Sequence, residues 1–338
     1  MSAPAITAAV ARLQAGDLVA FPTETVYGLG ADATNPRAIA AIFARKGRPH
    51  DHPVIVHIAE SAELAVWARE IPAAAHLLTQ AFWPGPLTLI LRRTPRVLNE
   101  ITGRQDTVGV RCPAHPLALQ LLRAAAAAGM PGLAAPSANR YGRVSPTTAA
   151  HVREEFGPTL LVLDGGACEV GIESTIVDMS GAAPRILRPG MISAAAITAV
   201  LQRPLSGERA DAPRVSGALA AHYAPRTPLQ LVPTRELAAA ISAANARAAT
   251  VVLVTYSSPS LPHSGPTLML PATPAAYAHE IYSTLRTTDA HGVDLMVVEA
   301  PPADDAWSAL EDRLRRAAQG SRGDHDSLSR VEVSRPTV

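Results

Sequence analysis

Short β-branched runs alternate with helical stretches through about the first two hundred residues of this chain. An alternation of this kind predicts an α/β fold. Several runs are apolar throughout, so we expect strands that are covered on both faces. Arg185–Leu187 closely follows Thr175–Asp178, which indicates an antiparallel pair and hence a twisted mixed parallel and antiparallel sheet with flanking helices. The other predicted strands are Asp17–Phe21, Val54–Ile58, Leu87–Leu91, Thr107–Arg111, Gly132–Ala135 and Leu160–Leu163.

One predicted helix carries its own start signal. Asn35 is a suitable N-cap and Pro36 suits the first helical position. The residues that follow place three apolar side chains on one face at helical spacing, Ile39, Ile42 and Phe43. A second helix is predicted to be capped by Ser145, to start at Pro146 and to end at Phe156.

The composition changes between residues 204 and 227, where prolines and glycines forbid a long regular element. We interpret this stretch as an interdomain linker. Beyond it the strand and helix alternation resumes, which predicts a smaller Rossmann-like α/β domain. No Gly-x-Gly-x-x-Gly follows a strand there, so no motif predicts nucleotide binding by this part. The predicted organisation is an N-terminal domain over 1–203, a linker over 204–227 and a C-terminal domain over 228–338.

Composition and charge limit the class of protein. The chain has 338 residues, of which 48% are hydrophobic and 17% charged, enough apolar material for buried cores. A formal net charge of +1 gives no field for coating nucleic acid, so no stable nucleic-acid binding is expected. Neither a signal peptide nor a membrane span is recognisable, which predicts a cytoplasmic protein. Cys112 and Cys168 stand in no metal or redox spacing and are expected to be reduced and buried.

Two polar clusters interrupt apolar sequence after the hydroxyl-rich turn Phe21–Gly30. They are Lys46-Gly47-Arg48-Pro49 and Ser137-Ala138-Asn139. A lysine is a mobile point charge and an arginine a planar fork, a combination suited to phosphate oxygens. Alternatively, the two cations only solvate a helix C-terminus, where positive charge is favoured. In their context the clusters predict a site for a polyanion.

These motifs, in this order, resemble the YrdC-type domain of L-threonylcarbamoyladenylate synthases. Ser216-Gly217 and His222-Tyr223-Ala224-Pro225 also resemble the linker motif of the two-domain form, which there folds over the nucleotide pocket. The resemblance implies a YrdC-like N-terminal domain and a Rossmann-like C-terminal one. The segments that carry it are Phe21–Leu29, Lys46–Pro49, Pro53–Ile58, Trp83–Thr88, Val108–Pro113, Ala135–Asn139 and Glu173–Thr175.

The resemblance also implies an activity. L-threonine, bicarbonate and ATP would combine to threonylcarbamoyl-AMP and pyrophosphate, for threonylcarbamoylation of tRNA adenosine 37. The activated product would pass to a downstream threonylcarbamoyl transferase complex. A Mg²⁺ ion is expected mainly on the ATP phosphates, with no protein residue predicted as a metal ligand.

The family's residue roles carry over by position. Lys46 and Arg48 are expected to hold the triphosphate and to act in catalysis. Arg111 would bind the threonine carboxylate, since a guanidinium can engage both oxygens at once. From the residues alone, and not from the resemblance, Glu24 and Glu173 are candidates either for general bases or for helix caps. The further ATP ligands would be Thr107, Ser137, Asn139, Ser145, Arg188, His222 and Tyr223, and the further threonine ligands Thr23, His57, Ala135 and Ser174.

Two other classes of function remain open from the sequence. An RNA-binding regulatory module would need cations dispersed over one face. A carbamoyl-transfer protein of the hydrogenase-maturation type would carry acylphosphatase and zinc-finger segments, and this sequence has no paired Cys-x-x-Cys. A P-loop enzyme is disfavoured because Gly-x-x-x-x-Gly-Lys-Ser/Thr is absent from the sequence.

Overall fold

A computed structural model describes residues 3–207, 212–217, 219–257 and 261–329. Residues 208–211 and 218 of the predicted linker therefore lie outside the described residues. The chain divides into two compact units. The first comprises residues 1–141 and 145–218, and the second comprises residues 142–144 and 219–338.

The first unit is built on a nine-stranded sheet. Its strand order is β7-β1-β2-β6-β3-β5-β4-β8-β9, with β1/β7, β3/β5 and β4/β8 parallel and the other neighbours antiparallel. The predicted mixed sheet is thus confirmed. The strands are β1 (Val19–Phe21), β2 (Gly28–Asp32), β3 (Ile55–His57), β4 (Leu87–Arg92), β5 (Thr107–Arg111), β6 (Leu133–Ala134), β7 (Leu161–Val162), β8 (Thr175–Asp178) and β9 (Arg185–Arg188).

Helices cover the sheet of the first unit and bury its apolar side chains. The largest core cluster joins the inner faces of helices and strands, including Ile39, Ile42, Phe43, Val56 and Leu89. The helices are α1 (Ala3–Gln14), α2 (Pro36–Lys46), α3 (Leu64–Trp67), α4 (Ala73–Phe82), α5 (Asn99–Thr102), α6 (Pro116–Ala127), α7 (Ala149–Phe156) and α8 (Ala194–Leu201).

Helix α2 delivers the first basic cluster to the site. Asn35 caps it as predicted, its side chain accepting from the backbone N–H groups of Arg37 and Ala38. Gly47 ends it in the left-handed conformation with φ 64°, which glycine adopts without a Cβ penalty. Lys46, the last helical residue, is buried, so solvation of a helix end does not explain it.

Two local expectations are wrong. Helix α7 begins at Ala149 and is capped by Thr148, whose side chain accepts from the N–H of His151. Ser145 is therefore no cap; its hydroxyl donates to Glu173 instead. The end of the predicted turn Phe21–Gly30 is also regular, because residues from Gly28 onward form β2.

The second unit carries a four-stranded parallel sheet of order β10-β13-β11-β12. This confirms the predicted smaller α/β architecture with parallel strands. Its elements are β10 (Leu229–Val232), α9 (Leu237–Asn245), β11 (Val251–Thr255), β12 (Thr267–Met269), α10 (Pro274–Ala290), β13 (Leu295–Glu299) and α11 (Ser308–Ser329).

A buried glutamate forms hydrogen bonds that link the strand ends of the second unit. Glu299 closes β13 and is fully buried. It accepts hydrogen bonds from Thr234 Oγ1 at 2.8 Å, from the N–H of Ser257 at 3.0 Å and from Thr255 Oγ1. These donors follow or end β10 and β11, so one carboxylate holds the carboxyl ends of three strands together.

Both cysteines, Cys112 and Cys168, are free and buried, as predicted. Among the described residues, no helix is both long and apolar enough to span a bilayer.

Candidate active site

The hydroxyl-rich turn that precedes β2 is held by its own side chains. Thr23 Oγ1 accepts from the N–H groups of Thr25 and Val26, both at 3.2 Å, and donates to Val26 O at 2.7 Å. The hydroxyls of Thr23 and Thr25 lie 2.8 Å apart. Since the Thr23 proton goes to Val26, the Thr25 hydroxyl donates to Thr23. Thr23 thus shapes the turn.

Lys46 projects from the end of α2 onto the second polar cluster. Its Nζ donates to Ser137 O at 2.6 Å and to Asn139 O. Burial, and then the charge of Arg48, lowers the pKa of Lys46 well below its ordinary value. A bound anion stabilises the protonated form of such a lysine, so binding of the anion and protonation of Lys46 favour each other.

Arg48 and Arg188 converge on Ser216. Arg48 NH2 donates to Pro53 O at 2.8 Å and to Ser216 Oγ at 3.4 Å. Arg188 NH1 donates to Ser216 O at 2.9 Å, while its Nε and NH2 donate to Ser174 O at 3.1 and 2.9 Å. Both guanidinium groups are buried. The structure therefore brings two of the predicted ATP ligands to one residue.

The residues next to Ser145 and Asn139 in sequence both hydrogen-bond to the main chain of Tyr27. The N–H of Tyr27 donates to Pro146 O at 2.9 Å, and Tyr27 O accepts from the N–H of Ala138 at 2.7 Å. Ser145 Oγ donates to Glu173 Oε1 at 2.6 Å. Glu173 precedes Ser174, so this hydroxyl lies next to the backbone that Arg188 binds.

A small cavity of about 20 Å³, room for about one water molecule, lies beside this polar group in the first unit. Its walls are largely apolar, and Gln105, Thr107, Arg214 and Ser216 are its polar lining residues. Gly109 forms part of the wall. Ser216 thus belongs both to the cavity and to the contacts of the two arginines. The apolar lining residues are Pro53, Val54, Ile55, Ile90, Ile176 and Val215.

Arg111 ends β5 and is buried at the hydroxyl-rich turn. Its Nε donates to Gly85 O at 3.2 Å and its NH1 to Thr25 Oγ1 at 2.8 Å. Its NH2 lies 2.6 Å from Glu24 Oε1, and both side chains are buried. Neither Glu24 nor Thr25 was among the predicted ligands. The motif that contains them indicated a site, but the motif alone could not show which of its side chains face Arg111.

The remaining predicted threonine ligands lie on neighbouring strands. His57 on β3 pairs in register with Arg111 on β5 and with Leu133 on β6. Burial, and then the charge of Arg111, lowers the pKa of His57 to about 3, so the imidazole is neutral at physiological pH. Ala135 follows β6, its N–H donating to Ile55 O at 3.0 Å.

Ser174 has a buried hydroxyl partner that the sequence did not reveal. Its Oγ lies 2.7 Å from Thr88 Oγ1 on the adjacent strand β4. Arg188 NH2 donates to the same Ser174 Oγ at 3.1 Å. The predicted ATP ligand Arg188 therefore contacts the predicted threonine ligand Ser174 directly.

His222 and Tyr223 belong to the second unit and are buried in it. Their rings meet with centroids 4.1 Å apart, and the Tyr223 ring stacks on Tyr282 at 5.8 Å. The Arg313 guanidinium lies 5.1 Å from the Tyr223 ring centroid. Within their unit the two residues thus pack in an aromatic cluster.

Two protein-family models match this chain, one in each half. The family model Sua5/YciO/YrdC, described as telomere recombination, matches residues 11–190. The model described as threonylcarbamoyl-AMP synthase, C-terminal domain, matches residues 192–319.

Individual relatives match along almost the whole chain. Threonylcarbamoyl-AMP synthase of Pyrococcus abyssi is 37% identical over 328 residues, which is 93% of this chain and 94% of the relative. The protein of the same name from Bacillus subtilis is 38% identical over 335 residues, 94% of each chain. The crystal structure of Pyrococcus abyssi Sua5 complexed with L-threonine has a TM-score of 0.85 at 37% identity, again over 94% of each chain.

The fold, the buried cations and these matches define an enzyme of the nucleotidyltransferase type. More particularly, the chain belongs to the Sua5/YciO/YrdC family of threonylcarbamoyl-AMP synthases, in its two-domain form.

Proposed function

We propose that this chain forms threonylcarbamoyl-AMP and pyrophosphate from L-threonine, bicarbonate and ATP, for the modification of tRNA adenosine 37. The observation that carries the proposal is the convergence of Arg48 and Arg188 on Ser216, at the wall of an apolar cavity. Cations beside an apolar cavity suit a nucleotide, which has a charged and an aromatic end. The names of the relatives, and the L-threonine bound to one of them, support the substrate assignment.

The proposed chemistry balances in two steps. The threonine amine takes the carbon of bicarbonate and water leaves, which gives a carbamate. A carbamate oxygen then attacks the α-phosphorus of ATP in line, and the bond from that phosphorus to the bridging oxygen breaks. Pyrophosphate leaves with that oxygen. Catalysis of such a transfer is mostly positioning and neutralisation of charge.

We assign the phosphate groups to Lys46, Arg48 and Arg188. Ser137, Asn139 and Ser145 would orient them by hydroxyl and amide contacts. The adenine would lie at the mouth of the small cavity beside Thr107, against the apolar side chains that line it. The relation of His222 and Tyr223 to ATP, predicted from the linker motif, remains part of this proposal.

We assign the amino acid to the Arg111 side of the site. The Arg111 guanidinium would bind the threonine carboxylate at the end of its fork. His57, neutral at physiological pH, can donate or accept a hydrogen bond to the substrate hydroxyl or amine. Ala135 and Ser174 would complete the pocket. Thr23, whose hydroxyl holds the turn through Val26, would line the pocket from that side.

Magnesium would enter with ATP. No group of three His, Cys, Asp or Glu side chains within the described residues is placed to hold a metal ion. The cation-rich site suits an ion that is carried mainly by phosphate oxygens. When bound, Mg²⁺ would neutralise charge on the triphosphate and on the departing pyrophosphate.

The test is pyrophosphate release from ATP by the purified protein with magnesium. L-threonine and bicarbonate are omitted in turn, and the nucleotide product is identified by mass. Release that needs both co-substrates, with a threonylcarbamoyl-AMP product, supports the proposal. Release that is indifferent to either, or no release, contradicts it. Transfer to tRNA is then tested by adding the downstream transferase complex, with and without this protein.

A further inference from the structure

Glu24 is fixed in place against Arg111. Its Oε1 lies 2.6 Å from Arg111 NH2, with the two side chains 6% and 5% exposed. Its Oε2 accepts from the N–H of Ala114 at 3.0 Å, and its carbonyl accepts from the N–H of Val170 at 2.7 Å. Both the side chain and the main chain of Glu24 are thus anchored, so its charge has a defined position.

The fork of Arg111 keeps donors for a ligand. A guanidinium carries five N–H groups. The Nε group donates to Gly85 and one NH1 group to Thr25, and NH2 lies 2.6 Å from Glu24 Oε1, so one of its protons faces that carboxylate. One NH1 proton and one NH2 proton remain, and these lie at the end of the fork, where a carboxylate binds.

The electrostatic setting of Arg111 differs from that of Lys46. Lys46 donates to the neutral carbonyl oxygens of Ser137 and Asn139, and Glu155, a carboxylate whose charge acts on it, forms no ion pair with it among the described contacts. Arg111 already faces a buried carboxylate, and the Arg111–Glu24 pair is neutral as a whole. A ligand that reaches Arg111 therefore meets one negative charge at short range.

From this we infer that Glu24 determines which anion Arg111 accepts. The inference rests on the proposed function above. Each further negative charge placed beside a buried carboxylate is repelled strongly, because charges interact strongly where little water screens them. A carboxylate brings one charge to the neutral pair, and a phosphate group brings up to two. Glu24 thereby reserves Arg111 for the amino acid and leaves the phosphates to Lys46, Arg48 and Arg188.

The experiment measures competition between the two anions. L-threonine is titrated calorimetrically into the full chain and into Glu24→Gln, each with and without pyrophosphate. The variant keeps an acceptor for Ala114 but lacks the charge. In the wild type we expect pyrophosphate to leave the L-threonine Kd unchanged, and in Glu24→Gln to weaken it by about ten-fold. Glu24→Asp, which retains the charge, is expected to behave as the wild type.

A matched control separates this effect from the general loss of a carboxylate. Glu63 accepts from the N–H groups of Ala59 and Glu60 at 2.8 and 3.2 Å and has no contact with Arg111 among those described. Glu63→Gln is expected to show no competition. The inference is overturned if pyrophosphate leaves the L-threonine Kd of Glu24→Gln unchanged, or if it already competes in the wild type.

A second measurement needs no variant, in case Glu24→Gln does not fold. The α-aminophosphonate analogue of threonine carries one or two charges according to pH. As the pH rises and the phosphonate becomes dianionic, the Kd of the analogue for the wild type should rise by about ten-fold more than the Kd of L-threonine over the same pH range. An equal or smaller rise overturns the inference. A wild type that binds ATP but no L-threonine instead overturns the proposed function, and the inference with it.

Discussion

The ammonium of Lys46 lies 2.6 Å from the carbonyl oxygen of Ser137, so the helix that carries the first basic cluster is fastened to the loop that carries the second. Lys46 is buried, and Ser137 is partly buried. It explains how two motifs about ninety residues apart in sequence come to act on one ligand. It also places the Lys46 charge against neutral acceptors, which an incoming phosphate can join.

Replacement of Lys46 by alanine is expected to reduce kcat/KM for ATP by more than about thirty-fold, or about 2 kcal/mol of transition-state stabilisation. The reason is the loss of a buried cation beside the developing charge. Steady-state pyrophosphate release measures the effect. Arg235→Ala, which removes an exposed arginine of the second unit, is the control. Wild-type kinetics in the Lys46 variant would remove this residue from the triphosphate site.

ATP binding should be coupled to proton uptake by Lys46. The pKa of Lys46 is lowered in the free protein, and a bound polyphosphate would raise it again. Affinity for ATP should therefore fall as pH rises through the lowered pKa. Calorimetry in two buffers of different ionisation enthalpy measures the protons taken up. We expect Lys46→Met to lose this uptake, and equal uptake in both proteins would assign the proton elsewhere.

Gly109→Ala should weaken ATP binding but spare L-threonine binding. A Cβ at this position would lie 3.2 Å from Ile90 Cδ1 and 3.4 Å from Ile55 Cγ1, and it would push on the apolar wall against which we place the adenine. We expect the ATP Kd to rise by about five-fold or more, because the adenine would lose apolar contacts with the wall. Gly181→Ala is the control, because its Cβ would meet no atom within 4 Å. A parallel loss of L-threonine affinity would indicate general damage instead.

His57 should make the protein less stable in mild acid. Its pKa is about 3 in the folded protein and near 6.5 when unfolded, so the unfolded chain binds the extra proton between these values. Stability is therefore lost as pH falls below about 6.5, by about 2 kcal/mol between pH 7.5 and 5. Chemical unfolding of wild type and His57→Gln at both pH values measures this. Equal pH dependence in the two proteins would contradict the prediction.

Glu299→Gln should destabilise the second unit. Burial raises the pKa of Glu299, but hydrogen bonds from Ser257, Thr255 and Thr234 outweigh burial and leave the pKa below its ordinary value. The carboxylate thus adds stability that is lost as pH falls through the folded pKa. The amide would face these donors with one acceptor oxygen, so we expect a loss of about 1–3 kcal/mol. Unfolding and proteolysis are compared with exposed Glu236→Gln, and equal stability would show that the carboxylate does not hold the strand ends.

Much of the fold could be predicted from sequence, because the spacing of apolar residues differs between strands and helices. Helix α2 begins at Pro36 after the Asn35 cap, as predicted, since both signals are local. The prediction for the start of α7 is wrong for a physical reason. Ser145 and Pro146 have the residue types of a cap and a first turn, but both form tertiary hydrogen bonds instead. The Ser145 hydroxyl donates to Glu173, and the Pro146 carbonyl accepts from the N–H of Tyr27.

The predicted site residues were recognisable by type, whereas their partners were not. That Arg111 binds a carboxylate could be proposed from its chemistry, but its contact with Glu24 depends on how a turn folds against β5. Ser216 lay in a motif and still could not be linked to Arg48 and Arg188. Such contacts join residues far apart in the chain, and local sequence does not encode their distances.

Glu173, Ser174 and Thr175 each turn toward a different part of the first unit. Glu173 meets Ser145, Ser174 meets Thr88 and Arg188, and Thr175 Oγ1 donates to Ile192 O at 2.9 Å. A single residue inserted or deleted just before this tripeptide would exchange all of these partners in one step. A substitution in this tripeptide would remove the contacts of one side chain, whereas a change of length would remove the contacts of all three.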